Sequence, residues 1–245
     1  LLDVADPREE FHLFAYQRLF DRAFREITGR GALPVLAGGS GMYLEAVIRS
    51  YDLPAAPENP ELRRELATLT MEELAARLLV VQPEQPNKTD LVDRDRLVRA
   101  IEIAVAARER AAMPSEARPT VRPLVIGVAW EREALRRRIT ERLHARLDAG
   151  MVAEVAVLHE RGVSWERLHR FGLEYRYIGL YLQGLLGYEE MVRILNTRIH
   201  QFAKRQLTWF RRMERQGVPI HWLAGDDYAA LQTLTDRFLG PAAGG

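Results

Sequence analysis

The feature that most constrains this fold is an apolar run that leads through glycines into a helical pattern. The run Leu33-Pro34-Val35-Leu36-Ala37 is bounded by glycines, which indicates a buried strand of a parallel sheet. Gly38 and Gly39 allow a sharp turn or the close approach of a ligand. Ser40 is a favourable N-cap for a helix that continues to Ile48. The segment therefore predicts a strand, a turn and a helix N-terminus that could present backbone N–H groups to phosphates, although an ordinary βα turn has the same pattern.

Composition limits the class of protein. The 245 residues are 47% apolar and 28% charged, which allows one large domain or one domain with a smaller insertion. The sequence has no apolar run of membrane-spanning length and no signal pattern, so no membrane partner is expected. The absence of cysteine excludes disulfides and thiolate zinc sites and favours a reducing compartment, so we expect a cytoplasmic protein.

Helical periodicity dominates the rest of the chain. It predicts helices over residues 9–30, 60–68, 71–81, 91–110, 131–147, 152–161, 174–182, 188–215 and 226–238. In the first of these, one face is expected to hold Phe11, Phe14, Ala15, Leu19, Ala23, Phe24 and Ile27. Strands are predicted at 124–130 and 219–223.

The stretch between Pro60 and Arg110 has no glycine and no strand pattern. Thr70 and Glu73 form a capping-box signature there. We therefore expect an α/β core, made of residues 1–57 and 114–245, that is interrupted by an all-helical insertion at residues 58–113.

The long C-terminal helical pattern is strongly basic. Between Arg193 and Arg215 the only acid is Glu214, whereas the net charge of the whole chain is +1. Helical spacing places Arg198, Gln201 and Arg205 along one line, and Lys204, Thr208 and Arg211 along a neighbouring line. Such a polar ridge suits a buried diphosphate or an RNA backbone. A solvated basic helix face is the structural alternative.

Four segments, in order, resemble the tRNA dimethylallyltransferases (tRNA isopentenyltransferases). Residues 37–43 resemble the GGTGLY segment of that family, and residues 197–211 resemble its TRxxAKRQxTWFR helix. Residues 93–102 resemble its NDxxRxxRALE helix, and Leu2-Asp3-Val4-Ala5-Asp6-Pro7 resembles a segment that follows its first strands and helices. The similarity extends from Leu1 to about Trp222.

The resemblance implies a P-loop-kinase-like parallel core with an insertion that binds the anticodon arm of a tRNA. It also implies transfer of a dimethylallyl group from its diphosphate to N6 of adenine 37, next to the anticodon, after the base leaves the stack. A carboxylate would help to remove the amine proton, and Mg²⁺ with basic groups would stabilise the leaving diphosphate. The expected partners are tRNA and dimethylallyl diphosphate, and the expected state is a monomer.

The family's roles carry over to particular residues. Ser40 stands where the family has a threonine near the reacting amine, and Arg198 is matched to the arginine that contacts the diphosphate. These two are the expected catalytic residues. The expected contacts to diphosphate or tRNA are Gly38, Gly39, Gly41, Arg96, Arg99, Arg176, Gln201, Lys204 and Arg205. For Arg96 and Arg99 a structural ion pair is the alternative role.

Two family features have no counterpart in the printed sequence. We find no G-x-x-x-x-G-K-[ST] loop and no DSxQxY segment, and in the family both would precede Leu1. We therefore expect that N-terminal strands are missing and that this chain alone is inactive. Two alternatives stay open: an adenylate isopentenyltransferase that acts on free nucleotides, and a non-catalytic RNA-binding remnant. No metal ligands are assigned among these residues.

Overall fold

The computed structural model describes residues 1–9, 11–51, 56, 58–83, 91–110 and 118–240. The first five helices in these ranges are α1 (Leu13–Gly29), α2 (Gly41–Ile48), α3 (Pro60–Ala67), α4 (Met71–Val81) and α5 (Arg94–Arg110). Strand β1 (Ile126–Ala129) follows, and then α6 (Arg132–Asp148), α7 (Met151–Glu160), α8 (Trp165–Arg170), α9 (Leu173–Leu182) and α10 (Tyr188–Arg215). The last elements are β2 (His221–Ala224) and α11 (Tyr228–Leu239). None of the described helices is long and apolar enough to span a membrane.

The described sheet has two parallel strands. β1 pairs with β2 in a register that sets Ile126 opposite His221 and Ala129 opposite Ala224. These are the strands predicted at 124–130 and 219–223. The strand predicted at 33–37 is wrong, because residues 32–40 form no regular secondary structure and Val35 is 80% exposed. An apolar run becomes a strand only when a neighbouring strand accepts its backbone hydrogen bonds, and the described residues supply no such neighbour.

The chain divides into two compact units. Unit 1 contains residues 1–11, 34–48 and 121–245, and unit 2 contains residues 12–33 and 49–120. The core of unit 1 lies among α6 to α10. Its buried side chains are Leu143, Leu147, Met151, Val155, Val163, Leu168, Ile178, Met191 and Leu195. This core holds α10, the helix with the basic pattern, against α6 and α9.

The described residues of unit 2 form helices α1, α3, α4 and α5 with their connecting segments, and no strand. Helices α3, α4 and α5 share a core of Leu66, Leu74, Leu78, Leu97, Ile101 and Ala104. Thr70 caps α4 with the predicted capping box, in which Glu73 reaches back to the Thr70 backbone N–H at 2.8 Å. The predicted boundaries 57/58 and 113/114 involve residues 57, 113 and 114, which lie outside the described ranges, so the insertion at 58–113 stays a prediction.

Helix α1 groups with unit 2, although the sequence assigned it to the core. The Asp21 carboxylate accepts from Arg118 Nε at 2.9 Å, and the Gln17 side chain donates to the carbonyl of Tyr51 at 2.8 Å. Both contacts join α1 to residues 49–120. The seven residues of the predicted apolar face are all half-buried, and the fully buried residues of α1 are Gln17, Phe20 and Asp21. Polar partners from distant parts of the chain explain why Gln17 and Asp21 are buried as well.

Candidate active site

The glycine turn leads directly into α2. The carbonyl of Ser40 accepts from the backbone N–H groups of Tyr43 and Leu44 at 3.0 and 3.1 Å, so Ser40 occupies the predicted N-cap position. The serine is exposed. The carbonyl of the preceding residue, Gly39, accepts from Gln206 Nε2 on α10 at 2.8 Å. The turn is therefore fixed to the long helix by a hydrogen bond to its backbone.

The three glycines of this turn have different surroundings. A Cβ on Gly41 would lie 2.5 Å from Cγ of Trp209 and overlap the indole ring, and a Cβ on Gly39 would overlap the Gln206 amide nitrogen. A Cβ on Gly38 would meet nothing within 4 Å. Packing against α10 therefore explains Gly39 and Gly41, whereas Gly38 leaves open space that a ligand could enter.

A buried carboxylate holds α2 against α10. Glu45 is 2% exposed and accepts from Trp209 Nε1 at 2.9 Å and from Arg212 Nη2 at 2.7 Å. The Arg212 guanidinium also lies over the Trp209 ring, 4.1 Å from its centroid. No local sequence pattern predicts this group, because Glu45 lies 164 positions from Trp209 and 167 positions from Arg212. Its effect is to fix the indole that the glycine turn packs against.

A cavity of about 1860 Å³ lies beside the turn, within unit 1. Residues of β1, α6 and α10 line it, together with Gly38 and Leu44. The predicted site residues that line the cavity are Gly38, Gln201 and Lys204. Its charged lining is mostly cationic: Arg132, Arg136, Arg137, Lys204 and Arg211 against Glu133, Glu141 and Glu214. The excess of positive charge favours an anionic occupant.

Three polar side chains meet on the cavity wall between α6 and α10. The Thr140 hydroxyl donates to Asn196 Oδ1 at 3.1 Å, and its oxygen lies 3.3 Å from His200 Nε2. All three residues line the cavity. Burial lowers the pKa of His200, and the nearby positive charge of Arg136 lowers it further. The cluster has no sequence signature, since a threonine, an asparagine and a histidine on two helices match no motif.

Several predicted residues lie elsewhere on the surface. Arg198 donates from Nε to the Tyr177 hydroxyl at 3.2 Å and from Nη1 to Gln201 Oε1 at 3.1 Å, and it does not line the cavity. Arg205 also lies outside the cavity lining, and its guanidinium sits 5.8 Å from the Phe202 ring centroid. Arg176 donates to the carbonyl of His169 and is exposed. Contacts of these three arginines with diphosphate or tRNA stay predictions.

The spacing of the motif explains the position of Arg198. In the pattern TRxxAKRQ two residues separate the arginine from the alanine, whereas here four residues stand between Arg198 and Ala203. Counted back from Ala203, the arginine of the pattern falls on His200. Two residues of α-helix turn through about 200°, so Arg198 and His200 leave α10 on nearly opposite sides.

The two predicted arginines of unit 2 differ in their partners. Arg99 donates to Glu102 Oε2 at 2.9 Å and to the carbonyl of Ala56 at 2.7 Å, which is the structural alternative named for it. Burial acts to raise the pKa of Glu102, but hydrogen bonds from Arg63, the Asn59 backbone N–H and Arg99 outweigh it and leave that pKa lowered. The Arg96 side chain is exposed. An RNA contact by either arginine stays a prediction.

Mg²⁺ has no protein cage in the described ranges. No group of three or more His, Asp or Glu side chains there is placed to hold a metal ion. Magnesium is commonly held by one or two carboxylates together with substrate phosphates. A site of that kind needs fewer than three protein ligands, so Mg²⁺ binding stays a prediction.

The sequence of this chain is similar to those of known proteins. A family model described as IPP transferase matches residues 1–213. The tRNA dimethylallyltransferase 2 of Trichlorobacter lovleyi is 54% identical over 240 residues, covering 97% of this chain and 78% of the relative. The tRNA dimethylallyltransferase 1 of Syntrophus aciditrophicus is 51% identical, covering 95% of this chain and 76% of the relative.

The fold of this chain is also similar to those of solved structures. A tRNA isopentenylpyrophosphate transferase from Bacillus halodurans matches with a TM-score of 0.60 and 26% identity, over 97% of this chain and 76% of that chain. A eukaryotic dimethylallyltransferase that acts on tRNA matches with a TM-score of 0.68 at 19% identity, over 96% of this chain and 62% of that chain, a likeness of fold alone. The motifs, the fold and the relatives agree, and the chain belongs to the IPP transferase family.

Proposed function

We propose that this protein is a tRNA dimethylallyltransferase, which transfers a dimethylallyl group from dimethylallyl diphosphate to N6 of the adenine next to the anticodon. The observation that carries the proposal is the glycine turn seated on α10 beside a cationic cavity. Gln206 and Trp209 hold this turn from one side, and Gly38 borders the cavity. Gly38 leaves open backbone beside the positive charge of the cavity, which supports binding of a prenyl diphosphate there.

The reaction is a nucleophilic substitution at the first carbon of the dimethylallyl group. The N6 nitrogen forms the new C–N bond, the C–O bond breaks with its electron pair passing to the diphosphate, and the amine proton would pass to the carboxylate that the family resemblance implies. Negative charge grows on the diphosphate as it leaves, so fixed cations near it lower the barrier. Lys204 and Gln201 line the cavity, and either can bind a phosphate oxygen there. Ser40 would hydrogen-bond the reacting amine and orient it.

Unit 2 would bind the tRNA. The relatives are named for action on tRNA, and a free nucleotide would not require a separate helical unit. The exposed Arg96 is the candidate backbone contact on α5, whereas Arg99 is held by Glu102. We further propose that the core is P-loop-kinase-like, in keeping with its parallel strand pair, and that the protein acts as a cytoplasmic monomer.

The test is an assay with three acceptors. Purified protein is incubated with dimethylallyl diphosphate, Mg²⁺ and unmodified tRNA, the isolated anticodon stem-loop or AMP, and the products are read by mass spectrometry. We expect one dimethylallyl group on the adenine of the tRNA. Transfer to AMP alone would identify an adenylate isopentenyltransferase instead. Binding of tRNA without transfer to any acceptor would identify a non-catalytic RNA-binding protein.

A further inference from the structure

One side of α10 carries arginine and aromatic side chains in alternation. The members of this arginine–aromatic row are Arg198, Phe202, Arg205, Trp209 and Arg212. Their intervals of four, three, four and three residues keep all of them on one side of the helix. The cavity-lining residues His200 and Lys204 are each two positions from Phe202, so their side chains leave the axis about 200° away from it. The row and the cavity therefore occupy different sides of the same helix.

The two ends of the row differ in what covers them. At the C-terminal end, Trp209 and Arg212 both bond the Glu45 carboxylate of α2. At the N-terminal end, Phe202 is 41% exposed, and the Arg205 guanidinium lies 5.8 Å from its ring centroid. All eight phenylalanines lie in the described ranges, and Phe202 alone among them is exposed. An aromatic surface is therefore open at this end of the row.

The arginines on either side of Phe202 keep their positive charge available. Arg198 donates from Nε to the Tyr177 hydroxyl at 3.2 Å and from Nη1 to Gln201 Oε1 at 3.1 Å, and both partners are neutral. Neither Arg198 nor Arg205 forms an ion pair with a residue that the structure describes. The hydrogen bonds orient the Arg198 guanidinium without cancelling its charge, so this end of the row favours an anionic partner.

An exposed ring between two such cations matches an unpaired RNA nucleotide. The base of an unpaired nucleotide stacks on an aromatic side chain, and the phosphates on either side of it bind arginines. A free diphosphate would leave the ring unused, and double-stranded RNA keeps the faces of its bases covered. Single-stranded RNA is therefore the partner that uses both the ring and the charges.

The distance from the glycine turn indicates which nucleotide this is. Gln206, which bonds the Gly39 carbonyl next to Ser40, lies four residues from Phe202, about 6 Å along the helix axis. A base on Phe202 therefore lies close to an adenine at the turn. When the target adenine leaves its stack, the neighbouring base loses a stacking partner, and the phenyl ring can take the place of that partner.

We propose that Phe202 is the stacking platform for the unpaired base next to the target adenine, and that Arg198 and Arg205 bind the phosphates beside that base. The proposal rests on the proposed function for the identity of the RNA. The contact would hold the neighbouring nucleotide in place while the adenine is at the turn. The alternative is a ridge that binds RNA phosphates only, to which the ring contributes nothing.

The test is a binding cycle between the ring and the base, measured without dimethylallyl diphosphate. The RNAs are the anticodon stem-loop and two copies of it that lack the base, but keep the phosphates, of the 5′ or the 3′ neighbour of the target adenine. We expect Phe202→Leu to bind the intact stem-loop about tenfold more weakly than the wild type, and Phe202→Tyr to bind it normally. In one of the two abasic RNAs, Phe202→Leu and the wild type should bind equally, because the base that stacks on the ring is gone.

Salt dependence separates the ring from the charges. The logarithm of the binding constant falls linearly with the logarithm of the salt concentration, and each phosphate contact on a single strand contributes about 0.7 to the slope. Arg205→Gln should therefore reduce the slope by about 0.7, whereas Phe202→Leu should lower the affinity at an unchanged slope. The control is Tyr188→Leu, which removes a ring that is also 41% exposed, about 21 Å away along α10, and should bind every RNA as the wild type does.

The platform is wrong if Phe202→Leu binds the intact stem-loop as tightly as the wild type, or if its weaker binding persists in both abasic RNAs. It is also wrong if a duplex RNA of the same length shows the same weakening. Circular dichroism verifies that each variant is folded, and Phe202→Gln serves as a second variant without a ring. If the wild type modifies tRNA while the cycle shows no coupling, only the platform is wrong. If the wild type does not bind the stem-loop, tRNA as the acceptor is wrong as well.

Discussion

The packing of the glycine turn on α10 predicts a graded response to alanine at three nearby positions. Alanine at Gly41 places a methyl group that overlaps the Trp209 ring, whereas alanine at Gly38 meets nothing within 4 Å. Alanine at Gly39 displaces only the end of the flexible Gln206 side chain, but it breaks the hydrogen bond to the Gly39 carbonyl. The destabilisation should therefore increase in the order Gly38, Gly39, Gly41.

The magnitude for Gly41→Ala follows from the fixed position of the indole. Trp209 cannot retreat freely, because its Nε1 donates to the buried Glu45 and Arg212 covers its ring. Overpacking of this kind costs about 1–3 kcal/mol. At the first residue of α2, the higher helix propensity of alanine relative to glycine offsets less than about 1 kcal/mol of this cost. The net loss in the free energy of unfolding should be about 1–2 kcal/mol, against about 1 kcal/mol for Gly39→Ala, which loses one hydrogen bond.

Urea unfolding followed by circular dichroism measures these differences. Gly38→Ala is the matched control, and its free energy of unfolding should equal or slightly exceed that of the wild type. Trp209→Leu opens the space above Gly41, so in the double variant the alanine should cost less than about 0.5 kcal/mol beyond Trp209→Leu alone. If Gly41→Ala is as stable as Gly38→Ala, or if the double variant shows no coupling, the indole does not cover this turn.

Two further predictions concern ionisable groups. Glu102→Gln should lower the free energy of unfolding by about 1–2 kcal/mol at pH 7, because it removes the charge that Arg63 and Arg99 bind. Since the pKa of Glu102 is lowered by folding, this difference should be complete above the ordinary carboxyl pKa and vanish as the pH falls through the lowered value; a pH-independent difference would contradict the ion pair. Burial, with a smaller effect of Glu154, raises the pKa of Tyr175 to about 12. Absorbance titration should therefore show a phenol with a pKa of about 12 that Tyr175→Phe removes, and stability should fall between about pH 10 and 12 in the wild type but less in the variant.

Local signals were sufficient for most of the helices. The capping box of Thr70 and Glu73 lies within four residues, and α4 begins where it predicts. The spacing of apolar residues predicts α5, α6 and α10, and the predicted ends lie within a few residues of those observed. These helices form from hydrogen bonds between residues four apart, so the sequence window that predicts them contains nearly all of the determining contacts.

Elements that depend on distant partners were predicted poorly. The run from Leu33 to Ala37 has the composition of a buried strand, yet it forms none, because strand formation requires a partner that no local pattern encodes. The same reason explains why Asp21 is buried on α1, where Arg118 binds it from 97 positions away. The short helix α8 was missed, since six residues give too few periods for a pattern.

The candidate site shows how far a motif can be carried onto a structure. A motif assigns a role by the type of a residue and its order in the sequence. On a helix the role also depends on the side of the helix from which the side chain projects. Arg198 has the expected type and lies on the expected helix, yet it bonds Tyr177 outside the cavity. His200 has the unexpected type but lines the cavity. On α10 the count of residues from the Ala203-Lys204-Arg205-Gln206 segment, rather than the identity of the nearest arginine, determines which side chain lines the cavity.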